Sequence, residues 1–249
     1  MKLTEVTLIV PFYRNVEMLR EQCRLFNFLP DAFRVIVVDD GSPEPAAPIV
    51  LHGTWKQTRK RVEVYRIGVD IPWNRGGARN LGATQCKTGW LIHIDIDHVL
   101  KQESALALLQ AEIETGQWYR FRRFRNGKAD ATRMKDAIPR DQEYGEVKPH
   151  VDSYLVEKAG FWKAGGYNED FSGCLGGGTP FLHELEATLG APRILPDDVS
   201  LQVYTRDTCP DASDHTLSRD TSEFSRRKAA MRGKYRGSNP LRFPWERVL

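Results

Sequence analysis

Two carboxylates and an imidazole stand within four residues in Asp95-Ile96-Asp97-His98, at the end of the apolar run Trp90 to Ile94. Carboxylates that close together at the end of a buried strand require a cation or hydrogen-bond donors. Mg²⁺ or Mn²⁺ is the natural partner, because such an ion takes one or two carboxylates together with diphosphate oxygens. A solvated turn, where aspartate is common, accounts for the same residues without a ligand. A second acidic pair, Asp39-Asp40, closes the apolar run Val35 to Val38 and leads into Gly41-Ser42-Pro43. A third cluster is basic: Arg120, Arg122, Arg123 and Arg125 interleave with Tyr119, Phe121 and Phe124. Such interleaving suits a single-stranded polyanion and equally a half-exposed strand face.

These groups do chemistry only where ordered elements hold them. Val6 to Val10 is a short β-branched run ending at Pro11, which reads as a strand meeting a loop. Asn15 is placed to cap a helix whose Met18, Leu19, Cys23, Leu25 and Phe26 have roughly helical spacing, and which should stop near Pro30. Val35 to Val38 and Val62 to Ile67 read as the second and third strands, Gly76-Gly77 opens a helix through Ala83, and Trp90 to Ile94 is the fourth strand. Strands alternating with helices, most of them fully apolar, predict an α/β fold with a mostly parallel sheet covered by helices on both faces. In such sheets ligands bind outside the carboxyl ends of the strands, where Pro11-Phe12-Tyr13, Asp39-Asp40 and Asp95-Ile96-Asp97 all fall. The second half is less regular. It reads as a helix over about 103–114, a strand over 118–125, an exposed loop over 126–147 and a glycine-rich segment at 173–178. Thr179-Pro180 then supplies the cap and first turn of a helix to about Leu189.

Hydrophobic residues at 41% and charged residues at 28% of 249 exclude a disordered chain. No apolar run approaches the roughly 20 residues of a membrane-spanning helix, and Met1 to Val10 lacks a signal-peptide layout. Cys23, Cys86, Cys174 and Cys209 are widely separated, with no C-x-x-C pair. They predict reduced thiols in a cytoplasmic protein rather than a disulfide frame or a zinc site. The formal charge of +3 hides an asymmetry. Nine basic against three acidic residues give the segment from Arg219 to Leu249 a charge of +6, leaving −3 for everything before it.

Four segments occur in a telling order: Thr7 to Asn15, Val37 to Ser42, Gly77 to Ala83, and Leu91 to Asp97. Together they closely resemble the nucleotide-binding half of GT-A glycosyltransferases, in the large family-2-type group that includes cellulose, chitin and hyaluronan synthases. The resemblance is strong over about 4–100 and weaker through Gly165 to Phe171. It implies that Pro11, Phe12, Tyr13 and Asp39, with Asp40 or Ser42 nearby, hold the nucleotide base and ribose. An acid can accept the imide N–H of uracil or a ribose hydroxyl, and burial makes such a bond selective. Arg79 would offset diphosphate charge, whereas Asn80 reads equally as a brace for its helix. Asp95 would contact ribose or a metal-bound water, and Asp97 would bind Mn²⁺ or Mg²⁺ directly. His98 stands where many relatives carry a further acid, and reads as a ligand or as a packed neighbour of the site. His215, in Asp214 to Arg219, matches a late histidine ligand of some GT-A enzymes, and imidazole favours Mn²⁺ over Mg²⁺.

The resemblance implies one domain over 1–218, with a nucleotide-binding half (about 1–100) and an acceptor half (about 101–218). A basic extension over 219–249 follows, whose Phe243-Pro244-Trp245 favours docking on the core. One departure concerns the catalytic base. Inverting relatives carry a Glu-Asp pair at the start of the acceptor helix, and alignment on Asn168 to Phe171 puts Gly177-Gly178-Thr179 there. Glu184, about one turn into that helix, is the first substitute and Asp170 the second, since a general base must reach the attacking hydroxyl. Inverting and retaining outcomes both stay open. The expected function is metal-dependent transfer of a sugar from a nucleoside-diphosphate sugar, a UDP-sugar first, to an acceptor hydroxyl of a glycan or modified nucleic acid. The acceptor is polyanionic if the arginine cluster and tail face it. The alternative is a catalytically silent module that binds a nucleotide sugar or nucleic acid on the same scaffold.

Overall fold

The computed structural model describes residues 1–126, 144–212, 217–237 and 240–249. The first half runs β1 (Val6–Phe12), α1 (Val16–Phe26), β2 (Phe33–Asp39), α2 (Ala46–Gly53), α3 (Lys56–Arg59), β3 (Val62–Ile67), α4 (Arg75–Gln85) and β4 (Trp90–His93). It continues through β5 (His98–Val99), α5 (Gln102–Gln110), β6 (Trp118–Arg120), β7 (Arg122–Asn126), β8 (Tyr144–Val147) and β9 (Tyr154–Glu157). The last elements are α6 (Lys158–Lys163), a 3₁₀ turn (Glu169–Phe171), α7 (Gly178–Leu189), β10 (Arg193–Ile194), β11 (Ser200–Val203), α8 (Ser222–Ala230) and β12 (Trp245–Arg247).

The main sheet has the order β10-β6-β9-β4-β1-β2-β3-β12. Its centre, β4-β1-β2-β3, is parallel, and β9 and β12 join antiparallel. Both faces are apolar because successive side chains alternate across the pleat. Leu8, Val10, Val35 and Val37 pack with Leu19 and Phe26 of α1, Val50 of α2 and Leu108 of α5. On the other face Ile9, Ile36 and Val38 pack with Leu81 of α4, Phe161 of α6 and Leu185 of α7. Gly82 lets α4 lie directly on β1, since a Cβ there would come 2.5 Å from Ile9 Cγ2. The sheet is thus the predicted α/β layer with helices on both faces.

Several local expectations change. Asn15 does not cap α1; its amide donates to the Asp211 carbonyl, and the Asp211 carboxylate accepts from Glu17 N and Met18 N at 2.8 and 2.9 Å. A cap from 193 residues away is invisible to local reading. The aromatic–arginine run is not one half-exposed strand. It breaks at Phe121, with β6 in the main sheet and β7 in a second sheet of order β5-β11-β7-β8. Arg123 and Arg125 are buried, while Arg122 pairs with Glu146 and Asp197. Residues 144–147, expected within an exposed loop, form β8 against β7. Helix α7 starts at Gly178 behind Gly177, not behind Thr179. The C-terminal segment lies along the sheet edge, with β12 antiparallel to β3 and Gly68 N donating to Pro244 O at 2.8 Å.

Candidate active site

The strands β1, β2 and β4 deliver the predicted groups to one end of the sheet. Pro11 and Phe12 finish β1 within the core, and Tyr13 reaches outward to donate to Asp70 Oδ1 at 2.8 Å. Asp39 is buried and fully engaged, with Oδ1 accepting Ser42 N at 2.8 Å and Oδ2 accepting Ala46 N at 3.0 Å and Arg66 Nη1 at 2.9 Å. That carboxylate therefore builds the turn after β2. Asp40 accepts Asn74 Nδ2 at 2.9 Å, and burial pushes its carboxyl up to about 7.

At the end of β4, Asp95 lies among cations. Arg79, with no exposed surface, donates to Oδ1, and Arg75 Nη1 stands 3.5 Å from Oδ2. Burial opposes ionisation here, but His150, Arg79, Arg75 and His98 outweigh it and hold Asp95 well below the usual carboxylate range. Arg79 also lies over the Tyr167 ring at 5.6 Å. Asn80 proves to be a brace: its amide donates to Tyr167 O and Glu169 Oε1, both at 2.8 Å, and its carbonyl accepts Tyr167 N at 2.9 Å.

His150, which sequence reasoning passed over, faces Asp95. Its Nδ1 accepts Asp152 N at 3.3 Å, so it presents a lone pair, and Asp95 Oδ2 lies 3.4 Å away. Burial pulls the imidazole below its ordinary value, while Asp95 pulls it up. Two acceptors that close are reconciled by a proton between them or by a cation. The third donor is His98, and one ligand atom from each of Asp95, His98 and His150 lies within 4.8 Å of the others. His98 Nδ1 is buried without an aligned hydrogen bond, although Asp97 Oδ1 is 3.2 Å away. An unsatisfied buried nitrogen beside two carboxylates is what a bound ion relieves. Arg123 Nη1 contacts His98 Nε2 at 2.6 Å, so an ion at Nδ1 would compete with that guanidinium for the ring. A carboxylate with two imidazoles is a donor set for a divalent metal ion, and the residues present fit one. Asp97 is buried beside this trio, its Oδ1 3.2 Å from His98 Nδ1. His215 lies outside the described residues.

A small cleft is lined by Trp73, Arg75, Arg79, Asp152, Tyr167, Ser172 and Gly176 to Gly178, and its Arg75 and Arg79 are the partners of Asp95. Glu184 and Asp170 are not among its lining residues. Glu184 Oε1 accepts Tyr235 N at 3.2 Å, and Asp170 pairs with Arg242 at 2.6 Å on the surface.

This arrangement has relatives. Residues 7–168 match the family described as glycosyl transferase family 2. The chain belongs to that family. It is a glycosyltransferase with the GT-A fold, and no described helix is long and apolar enough to cross a membrane. Residues 1–349 of S. aureus TarS give a TM-score of 0.57 at 15% identity, over 91% of this chain and 72% of that one. A mannosyltransferase, PcManGT from Pyrobaculum calidifontis, in complex with GDP-Man and Mn²⁺, gives 0.55 at 15% identity over 80% of this chain and 56% of that one. The longer TarS structure gives 0.54 at 16%, over 90% and 43%. No curated protein sequence matches the chain significantly.

Proposed function

We propose that this glycosyltransferase moves a sugar from a nucleoside-diphosphate donor to an acceptor hydroxyl, with the diphosphate seated where Arg75, Arg79, Asp95 and His150 converge. That convergence at the carboxyl end of β4 carries the reading. Asp95, His150 and His98 would hold a divalent ion, Mn²⁺ before Mg²⁺, with Asp97 beside them. When bound, such an ion neutralises charge that grows on the departing diphosphate. The chain's own share is the Arg75 guanidinium, one-third exposed at the cleft, with Arg79 fixing Asp95 beneath it. Asp39, Asp40 and Tyr13 would frame the base and ribose, and a UDP-sugar is the first donor to try.

The exposed Arg226, Arg232, Lys234 and Arg236 support a polyanionic acceptor, since a charged patch raises encounter with polyanions. Buried unpaired thiols at all four cysteines fit a reducing, cytoplasmic setting. The test is a thermal-shift panel of UDP-, GDP- and TDP-sugars with and without Mn²⁺, followed by nucleoside-diphosphate release. A bound donor raises the melting temperature by mass action. No shift and no release with any donor would refute the reading.

A further inference from the structure

The start of α7 carries Gly177-Gly178-Thr179 where an acidic pair is expected. A carboxylate reaches that place by another route. A Cβ on Gly178 would lie 2.4 Å from Asp152 Oδ1 and 2.8 Å from Oδ2. The Asp152 side chain therefore fills the space from which a side chain at 178 would start, and only glycine leaves room for it.

Asp152 comes from the segment before β9 and lines the cleft with Arg75 and Arg79. Its Oδ1 is held: Tyr167 Oη donates to it at 2.9 Å, and Tyr154 Oη donates to Tyr167 at 3.0 Å. Burial pushes both phenols well above their ordinary range, so both keep their protons and the carboxylate keeps its orientation. Oδ2 receives no hydrogen bond from the described residues. The Arg75 Nη1 that stands 3.9 Å from it is the atom 3.5 Å from Asp95 Oδ2. The two carboxylates thus share one guanidinium, and Asp152 is the one that lies against the glycine-rich segment.

We infer that Asp152 is the general base of the transfer, supplied from the segment before β9 in place of a carboxylate on α7. This rests on the glycosyl-transfer reading above. The acceptor oxygen bonds to the anomeric carbon while its proton passes to Asp152 Oδ2. The bond from that carbon to the diphosphate oxygen breaks, and its electron pair leaves on the diphosphate. Asp152 then returns the proton to water. Attack opposite the leaving group inverts the anomeric configuration.

The experiment uses the full chain, the donor that the thermal-shift panel selects, and water or p-nitrophenyl glycosides as acceptors. Asp152→Asn should lower kcat by about 10²–10⁴-fold, the usual worth of a positioned base, with donor Kd and donor KM essentially unchanged. A merely structural carboxylate would instead move donor affinity and leave kcat close to wild type. The paired variant Asp152→Gly with Gly178→Asp returns the carboxylate to α7 and should recover about tenfold or more over Asp152→Asn. It also carries the test if Asp152→Asn does not fold. Proton NMR of the product should show an inverted anomeric centre. A wild-type kcat in Asp152→Asn, a retained configuration, or a folded, donor-binding swap with no recovery overturns the inference while transfer itself stands. A wild type that releases no nucleoside diphosphate overturns both.

Discussion

Glu169 is a small, fully used joint whose removal has a calculable effect. It is 4% exposed. Oε1 accepts Asn80 Nδ2 and Leu241 N, both at 2.8 Å, and Oε2 accepts Arg242 N at 3.1 Å. One carboxylate thus ties α4 to the C-terminal segment. In Glu169→Ala two outcomes compete. If the segment stays, two backbone amides and part of the Asn80 amide lose their acceptor, costing about 2–8 kcal/mol at roughly 1–3 kcal/mol for each unsatisfied group. If it lifts away, the amides hydrate, but Leu241 and Phe243 leave the second core cluster and β12 leaves β3. Two partly buried side chains of that size are worth about 2–4 kcal/mol. The cheaper route wins, so the expected loss is about 2–4 kcal/mol, or roughly 5–15 °C in melting temperature for a chain of this length. Hydrogen exchange should accelerate at Leu241, Arg242 and the β12 amides and not in β1. Glu169→Gln keeps Oε1 and should cost about 1 kcal/mol. Melting within about 1 °C of the parent, with unchanged exchange at Leu241 and Arg242, would refute this reasoning.

Three further outcomes are expected. Asp40 titrates near 7 in the fold and at 3.8 when unperturbed, so the folded chain binds the proton more tightly. Its contribution to stability is therefore full below the lower value and falls as pH rises between the two, by a few kcal/mol at most at about 1.4 kcal/mol per unit. Asp40→Asn should flatten that decline, and parallel melting curves for the two proteins from pH 5 to about 8 would contradict it. Gly178→Ala should cost about 1–3 kcal/mol by overpacking against Asp152. Gly89→Ala, which meets nothing within 4 Å, should stay within about 0.5 kcal/mol; equal melting shifts would count against the close approach. His150→Ala should weaken Mn²⁺ binding by about tenfold or more, read by EPR of free Mn²⁺, and EDTA should abolish donor-induced stabilisation. Unchanged Mn²⁺ affinity removes His150 from the ion.

Short continuous apolar runs made the parallel centre of the sheet legible, because β1, β2, β3 and β4 are buried over most of their length on both faces. The strand ends followed, and with them Asp39, Asp40 and Asp95. What stayed hidden depends on contacts across the chain. The Asp211 cap on α1 belongs to no local pattern. Nor does the burial of Arg123 and Arg125, whose spacing reads as a solvated face until β7 is set between β11 and β8 in the second sheet. His150 and Asp152 were passed over for a like reason. Lys148-Pro149-His150-Val151-Asp152 has neither periodicity nor a known motif, and its chemistry exists only once β9 pairs with β4 and brings it beside Asp95.

That pairing explains why one aromatic residue governs the site. Asn80 fixes the Tyr167 backbone from α4, so the ring position follows the helix that also carries Arg75 and Arg79. The ring lies beneath Arg79, which holds Asp95, and the hydroxyl holds Asp152. Any displacement of Tyr167 therefore reaches both carboxylates together. Of the two carboxylates, loss of the hydroxyl alone reaches only Asp152, though it also takes the acceptor from Tyr154 Oη, because the ring and the backbone contacts to Asn80 remain. Tyr167→Phe separates the two effects: it should slow turnover through a loosened Asp152 while leaving Mn²⁺ and donor affinity at their wild-type values. Equal losses in all three would mean that the hydroxyl supports the whole site and not one carboxylate.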